Sequence, residues 1–560
     1  MDDLFHRNSS KHVAEYFVVV GMKFENLWQA CVDLSRASPE LTDPCSSPSE
    51  HSINLNLDIL QTAFEASVLS RYPTTDHPFS SGPASLSYAS RLPEGIEFFC
   101  FPQGLLFSTT PSFPKFHAFV HTSEDGSRMI GTCLYFSEEL STEEYDIVNK
   151  INSSMHHNEL SGLMEFGTDS TKLYVLKGIC ILSYWPFIEP FKKFLMILYN
   201  MLGSDKANKI PIERYICNFI DDIPAPPAGK VDIVYYLNDD IIRFRCPPLN
   251  VPSTWLGFPL LPLFHCLSLH NILLLFSCVL TERQVLLISS QYSLLTICAE
   301  SIMSLLYPLT WSHAYIPILP SRLLGVLGAP FPFLLGLPSA IYEANKSCVS
   351  NETIRVHLDQ DSIDLGSLGP PPPLPEHRKQ KLMTHLENTI PWYHPNVTSN
   401  MEIKKIYFKK TREKIRAYDD VHLDQSSHDL EREGSGKSTG KPFQVQSDKE
   451  STTSIASKGN VYTTYMPTKG VHNSYFGAGI ISAGHGGSGK AAQSSVAQHV
   501  NVDLDDLEIS ETSIREGFLK FFINMLKDYK RYLVYGSEDL DPQKKFNYMD
   551  FMNGQIQYAF

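Results

Sequence analysis

The sequence predicts an α/β fold from three observations. Leu263 to Leu337 alternates helix-length apolar segments with short runs of β-favouring residues, the order of a layered sheet-and-helix domain. Within it, Gln284 to Ile288 and Ala314 to Leu319 read as strands, the second closed by Pro320. Upstream, Phe116 to Leu140 holds two strand-like arms around Ser123-Glu124-Asp125-Gly126-Ser127, whose Asp-Gly step signals a hairpin.

The remaining elements follow in chain order. Tyr16 to Val20 and Phe98 to Gly104 supply two more strand expectations, and Ser35 to His51, rich in Ser and Pro, reads as a loop. In the second hairpin arm Ile130, Thr132, Leu134 and Phe136 share one face by period two. Ile151 to Thr171 is a polar connection, Lys172 to Leu182 a strand, and Pro186 to Leu202 a helix closed by Gly203. Pro224 to Pro227 forms a turn. Pro370 to Pro373 reads as a stiff polyproline spacer in preference to a ligand for an SH3-type domain. Between roughly Asp419 and Gly489 the chain is poor in apolar residues and reads as disordered. From Ser513, apolar residues at helical spacing run from Ile514 to Leu533, with Ser513 and Glu516 as a capping box and Lys527, Lys530 and Arg531 near the far end. Phe546 to Phe560 predicts a further helix.

Composition excludes several classes of function. With 560 residues the chain can build two or three domains, and its net charge of −14 argues against nucleic-acid binding. The 11 cysteines include no CxxC pair and no metal-ligand spacing; Cys180, Cys217, Cys266, Cys278 and Cys298 lie in apolar runs and read as buried free thiols. No cofactor or metal site is expected. The amino terminus has no signal-peptide pattern, so sequons such as Asn351-Glu352-Thr353 are expected to stay unmodified. Cys246 to Thr281 lacks charge, but prolines and polar groups interrupt it, and no transmembrane segment is expected.

Two P-loop look-alikes fail on their own residues. Glu431 occupies the first glycine position before Gly436-Lys437-Ser438, and Ala491 replaces the hydroxyl residue after Lys490. There is no HExxH and no GxSxG. His156-His157 reads as a solvated pair, and His265, His270 and His313 as partly buried structural histidines.

The order of the central block resembles the DENN-domain family. An uncharged helix leads into Thr281-Glu282-Arg283, then come a buried strand, an amphipathic helix, Tyr307-Pro308-Leu309-Thr310-Trp311, a strand ending at Pro320, and Gly328-Ala329-Pro330-Phe331-Pro332. The hairpin block is similar to the family's upstream longin-type module, and the helix from Ser513 to the start of its helical downstream module. The resemblance implies an upstream longin-like module over 12–170 and an α/β central module over 171–390 with a sheet flanked by helices. A mostly disordered linker over 391–507 and a small helical module over 508–560, within which the chain ends, complete it. The hairpin and central block look closest to the subfamily whose longer members continue into RUN and PLAT domains.

The resemblance also implies a function. Family members promote nucleotide exchange on Rab GTPases, so a Rab is the expected partner and a cytoplasmic protein recruited through it to vesicle, endosome or Golgi membranes is the expected setting. The alternative is a DENN-like scaffold that binds a GTPase or another trafficking factor without exchange; a third is a GTPase-activating role through an inserted Arg128 or Arg322. Contact residues are expected where loops of the first two modules meet. They are Glu124, Asp125 and Arg128 on the hairpin, Thr310, Trp311, Ser312 and His313 in the central block, and Ser321 and Arg322 after Pro320. A tight solvated turn competes as a reading of the hairpin charges, and a packed strand-end Trp as a reading of Trp311.

Overall fold

The computed structural model describes residues 12–37, 60–76, 91–123, 126–155, 172–203, 210–229, 231–237, 240–247, 257–393, 461–464, 510–527, 533–534 and 545–546. Its first sheet is antiparallel and comprises β1 (Tyr16–Gly21), β2 (Ser67–Tyr72), β3 (Lys115–Thr122), β4 (Arg128–Glu139) and β5 (Tyr174–Ser183), in the order β2-β1-β5-β4-β3. This is the longin-like body. Apart from the edge strand β2, whose residues are half-buried or exposed, its strands are mostly buried and send apolar residues to both faces. Phe17, Phe116, Leu134 and Ile179 pack with α4 (Ile188–Leu202) and α5 (Ile212–Asp221). The alternate residues Val18, Phe119, Cys133 and Cys180 share a core with α1 (Leu27–Ala37) and α2 (Ile96–Cys100), with α3 (Thr142–Met155) alongside.

The segmentation at residue 170 assigns β5 to the central module. Its pairing joins that module to the first sheet: β5 lies in the middle of the sheet, bonded to β1 on one side and β4 on the other. A strand apolar on both faces is most stable at the centre of a sheet, whatever its position in the chain. A hairpin of β6 (Asp232–Leu237) and β7 (Asp240–Phe244) follows and packs its inner residues into the same core; residues 461–464, within the span expected to be disordered, pair with β6.

The second sheet has the order β12-β11-β8-β10-β9, from β8 (Val285–Ser289), β9 (Ala314–Ile316), β10 (Phe333–Pro338), β11 (Ile354–His357) and β12 (Ser362–Asp364). All pairs are parallel except β11–β12 at the edge. Every residue of β8 is buried, as its uncharged sequence demands. Helices α6 (Leu261–Cys266), α7 (Leu269–Leu280), α8 (Tyr292–Leu305), α9 (Ser339–Ala344) and α10 (Glu376–Thr389) complete the layer. The uncharged stretch that resembled a membrane span is broken between α6 and α7. Among the described residues no helix is long and apolar enough to cross a membrane.

The helix predicted from Ser513 is α11 (Glu511–Leu526), and it docks on the central module. Phe518, Phe521 and Phe522 surround Phe276 of α7 with ring centres 5.0, 5.9 and 5.9 Å away. The capping residue is Ser510, whose hydroxyl accepts from the Ser513 amide, so the helix starts one turn before the predicted box. Glu511 is thereby freed to accept from the Leu260 amide at 2.8 Å.

Other local differences have simple causes. Phe98 to Gly104 is no strand: α2 covers its first residues and ends before Pro102, with Gly104 at φ +79°. Ser35 to Ala37 prolong α1, and α3 runs to Met155. Ala314 to Leu319 shortens to Ala314–Ile316 because Pro317 offers no donor to the ladder. Cys180, Cys266, Cys278 and Cys298 are buried as expected, whereas Cys217 is half-buried and His270 is exposed. Burial pushes the Cys31 and Cys278 thiols up to about 11 and that of Cys246 to about 12, leaving them protonated and inert. Glu124, Asp125, the P-loop look-alikes, His156-His157 and most of the linker lie outside the described residues, as does all of 546–560 beyond Phe546, which pairs as a short strand.

Candidate functional site

The two sheets meet along a seam formed by the β3–β4 edge of the first and by α8 and β9 of the second. At its centre the Thr296 hydroxyl of α8 donates to the Ala118 carbonyl of β3 at 2.6 Å, in full burial. Beside it the His117 ring stands edge-on to Tyr292, centres 5.5 Å apart. A buried side chain to backbone hydrogen bond of this kind fixes the relative position of two elements, because breaking it strands both groups away from water.

At one end of the seam the Arg128 guanidinium lies over the Tyr315 ring, 4.8 Å from its centre. The Tyr315 hydroxyl donates to Glu300 Oε1 at 2.6 Å. Burial pushes the Glu300 carboxyl up, and the Tyr315 bond and the Arg128 charge oppose that shift. At another point of the seam Arg322 pairs with Glu65 at 2.6 Å and covers the Phe98 ring at 4.8 Å. The adjacent Ser321 amide donates to the Pro102 carbonyl at 3.0 Å. Both arginines singled out in the sequence therefore act across the seam.

The central loop residues divide into two groups. Trp311 is only 8 % exposed and its indole N–H donates to the Ala314 carbonyl at 3.2 Å, so it packs a strand end. His313 stands edge-on to Trp311, with Nε2 3.2 Å from the Glu282 carboxylate. Thr310 and Ser312 are exposed, and the neighbouring Leu309 leaves 45 % of its surface in solvent. On the hairpin, Ser123 and Ser127 are joined by a 2.9 Å backbone bond and Gly126 has φ +82°, a tight turn of the kind the Asp-Gly step predicts.

Sequence reasoning missed Glu65, Phe98, Thr296, Glu300 and Tyr315. Glu300 carried a readable signal, being the lone charge in the apolar helix from Tyr292 to Leu305. Among the described residues no cluster of three or more His, Cys, Asp or Glu side chains could hold a metal ion.

Comparison with known families fits this two-body architecture. Residues 66–136 match the uDENN domain and residues 174–361 the DENN (AEX-3) domain. The chain carries a uDENN domain followed by a DENN domain. Its uDENN match spans β2 to β4, and its DENN match begins at β5 and ends after β11. This DENN-domain chain is similar to the DENN domain and WD repeat-containing protein SCD1 of Arabidopsis thaliana, 27% identical over 347 residues, which cover 62% of this chain. The chain spans 27% of that relative's length.

Proposed function

We propose that this protein is a guanine nucleotide exchange factor for a Rab-family GTPase. The observation that carries the reading is the paired uDENN and DENN match, over two bodies held together by buried contacts along one seam. The protein grips the switch regions of a GDP-loaded Rab, displaces the groups that hold magnesium and phosphate, and stabilises the nucleotide-free form until GTP enters. This is differential binding, with no covalent step. A thousandfold acceleration of GDP release corresponds to about 4 kcal/mol of preference for that form. Recruitment from the cytoplasm to a vesicle, endosome or Golgi membrane follows from the lipid anchor of the bound Rab.

The exposed Thr310, Ser312 and Leu309 are the contact residues we favour in the central body, because they are free of the packing that occupies Trp311. Engagement of Arg128 and Arg322 in seam contacts argues against the inserted-arginine reading. The test is release of fluorescent GDP from a Rab panel, with and without the protein and with excess GTP. Acceleration on one or two Rabs is expected. Binding to a loaded Rab without acceleration on any would replace this reading with the scaffold one.

A further inference from the structure

The polyproline run from Pro370 to Pro373 is strapped to the surface of the central body and spaces nothing apart. It leaves β12 through Gly366–Leu368 and Gly369, at φ +65°, and enters α10 at Glu376. Arg283 donates to the Gly369 carbonyl at 2.6 Å and to the Pro370 carbonyl at 3.2 Å. The Ser277 hydroxyl donates to the Pro372 carbonyl at 3.1 Å. Four consecutive prolines, with a fifth at Pro375, lock φ and bias each preceding residue to extended ψ, which is the polyproline II helix.

That helix has three residues per turn, so residues three apart share an edge. One edge is turned inward: Pro371 is buried, and Leu374 packs against the core. Of the other two, one carries the exposed Pro370 and Pro373 and the other the exposed Pro372 with the half-buried Gly369, and Leu368 beside them is 49 % exposed. A groove of the SH3 type reads a P-x-x-P helix on two edges, the prolines on one and the residues preceding them on the other, and leaves the third untouched. Here the untouched edge is the one that the protein uses as its mount.

We infer that Gly369 to Pro373 is a pre-formed ligand for the aromatic-lined groove of an SH3-type domain. Pro370 and Pro373 supply the P-x-x-P pair, and Arg283 and Ser277 hold the helix in its binding shape. The strap removes ordering entropy that a free proline-rich peptide loses on binding. This surface is independent of the GTPase reading, since it rests on α7, β12 and α10 and uses none of the seam residues.

The test is binding of the full chain to an array of purified SH3 domains, with WW domains alongside. At least one SH3 domain is expected to bind, and Pro370→Ala or Pro373→Ala to weaken that binding by about tenfold, the loss typical of a central contact. Both prolines are exposed or at the surface edge, so the melting temperatures of these variants check that the fold is retained. Pro371→Ala, on the mounted edge, is expected to keep the binding. No capture by any SH3 domain, or capture indifferent to Pro370 and Pro373, would overturn the inference. So would capture by WW domains alone, or by domains that bind a peptide of residues 367–378 and ignore the intact chain, because the mounted helix would then be hidden.

Discussion

The Arg128 guanidinium sits 4.8 Å from the centre of the Tyr315 ring, and the two residues belong to different sheets. Tyr315 passes the contact on through its 2.6 Å bond to Glu300 of α8. Arg128→Ala removes the cation that faces both the ring and the carboxyl. A loss of about 1 kcal/mol is expected for a partly desolvated cation–π contact. Urea unfolding measures it, and an unchanged midpoint would show that the seam does not depend on this pair.

The Glu300 carboxyl gives stability a defined pH dependence. Burial raises its folded pKa above the ordinary value of 4.5, so the folded state holds the proton more tightly than the unfolded one. Its contribution is fully present below 4.5 and is lost as pH rises through the folded value. Glu300→Gln keeps an acceptor for Tyr315 and carries no charge. The variant is expected to lose that part of the dependence and to gain stability relative to wild type as pH rises. Parallel melting curves for the two proteins from pH 4.5 to neutral would contradict the assignment.

Gly517 allows α11 to lie close against α10. A Cβ at that position would stand 2.5 Å from His385 Cδ2, while His385 Nε2 lies 2.9 Å from the Ser513 carbonyl oxygen. Gly to Ala within a helix ordinarily stabilises by about 0.5–1 kcal/mol. Here Gly517→Ala is expected to destabilise by about 1–2 kcal/mol, because the ring must move and its hydrogen bond is strained. A raised melting temperature would show that the helices can separate at little cost.

Two kinds of variant separate seam from contact surface in the exchange assay. Arg322→Ala breaks an exposed pair with Glu65, worth no more than about 1 kcal/mol to stability, and is expected to change GDP release only slightly. Ser312→Glu and Thr310→Glu place charge on exposed positions and are expected to leave the melting temperature unchanged while slowing stimulated release about tenfold or more. Full activity of both glutamate variants would remove this loop from the proposed interface.

Much of the fold was legible because periodicity reports burial directly. β8, α7 and α8 are dominated by apolar residues, and the hairpin carries its own Asp-Gly punctuation. The failures share a cause. The Phe98 run is aromatic enough for a strand, yet the turn at Pro102 and Gly104 and the packing of Phe99 on Phe119 make it a helix. Trp311 could be read as a contact or as packing, and only its 8 % exposure decides between them.

By itself the sequence determined an α/β protein with a hairpin, a buried central strand and an apolar carboxyl-proximal helix, because these depend on local spacing of apolar residues. Tertiary structure alone decided that β5 takes the centre of the first sheet, that Arg128 and Arg322 brace its seam with the second, and that the proline run is mounted rather than free. These relationships join residues distant in sequence, such as Glu65 with Arg322 or Phe276 with Phe518, and are set by which surfaces bury each other. No periodicity within either segment encodes that choice.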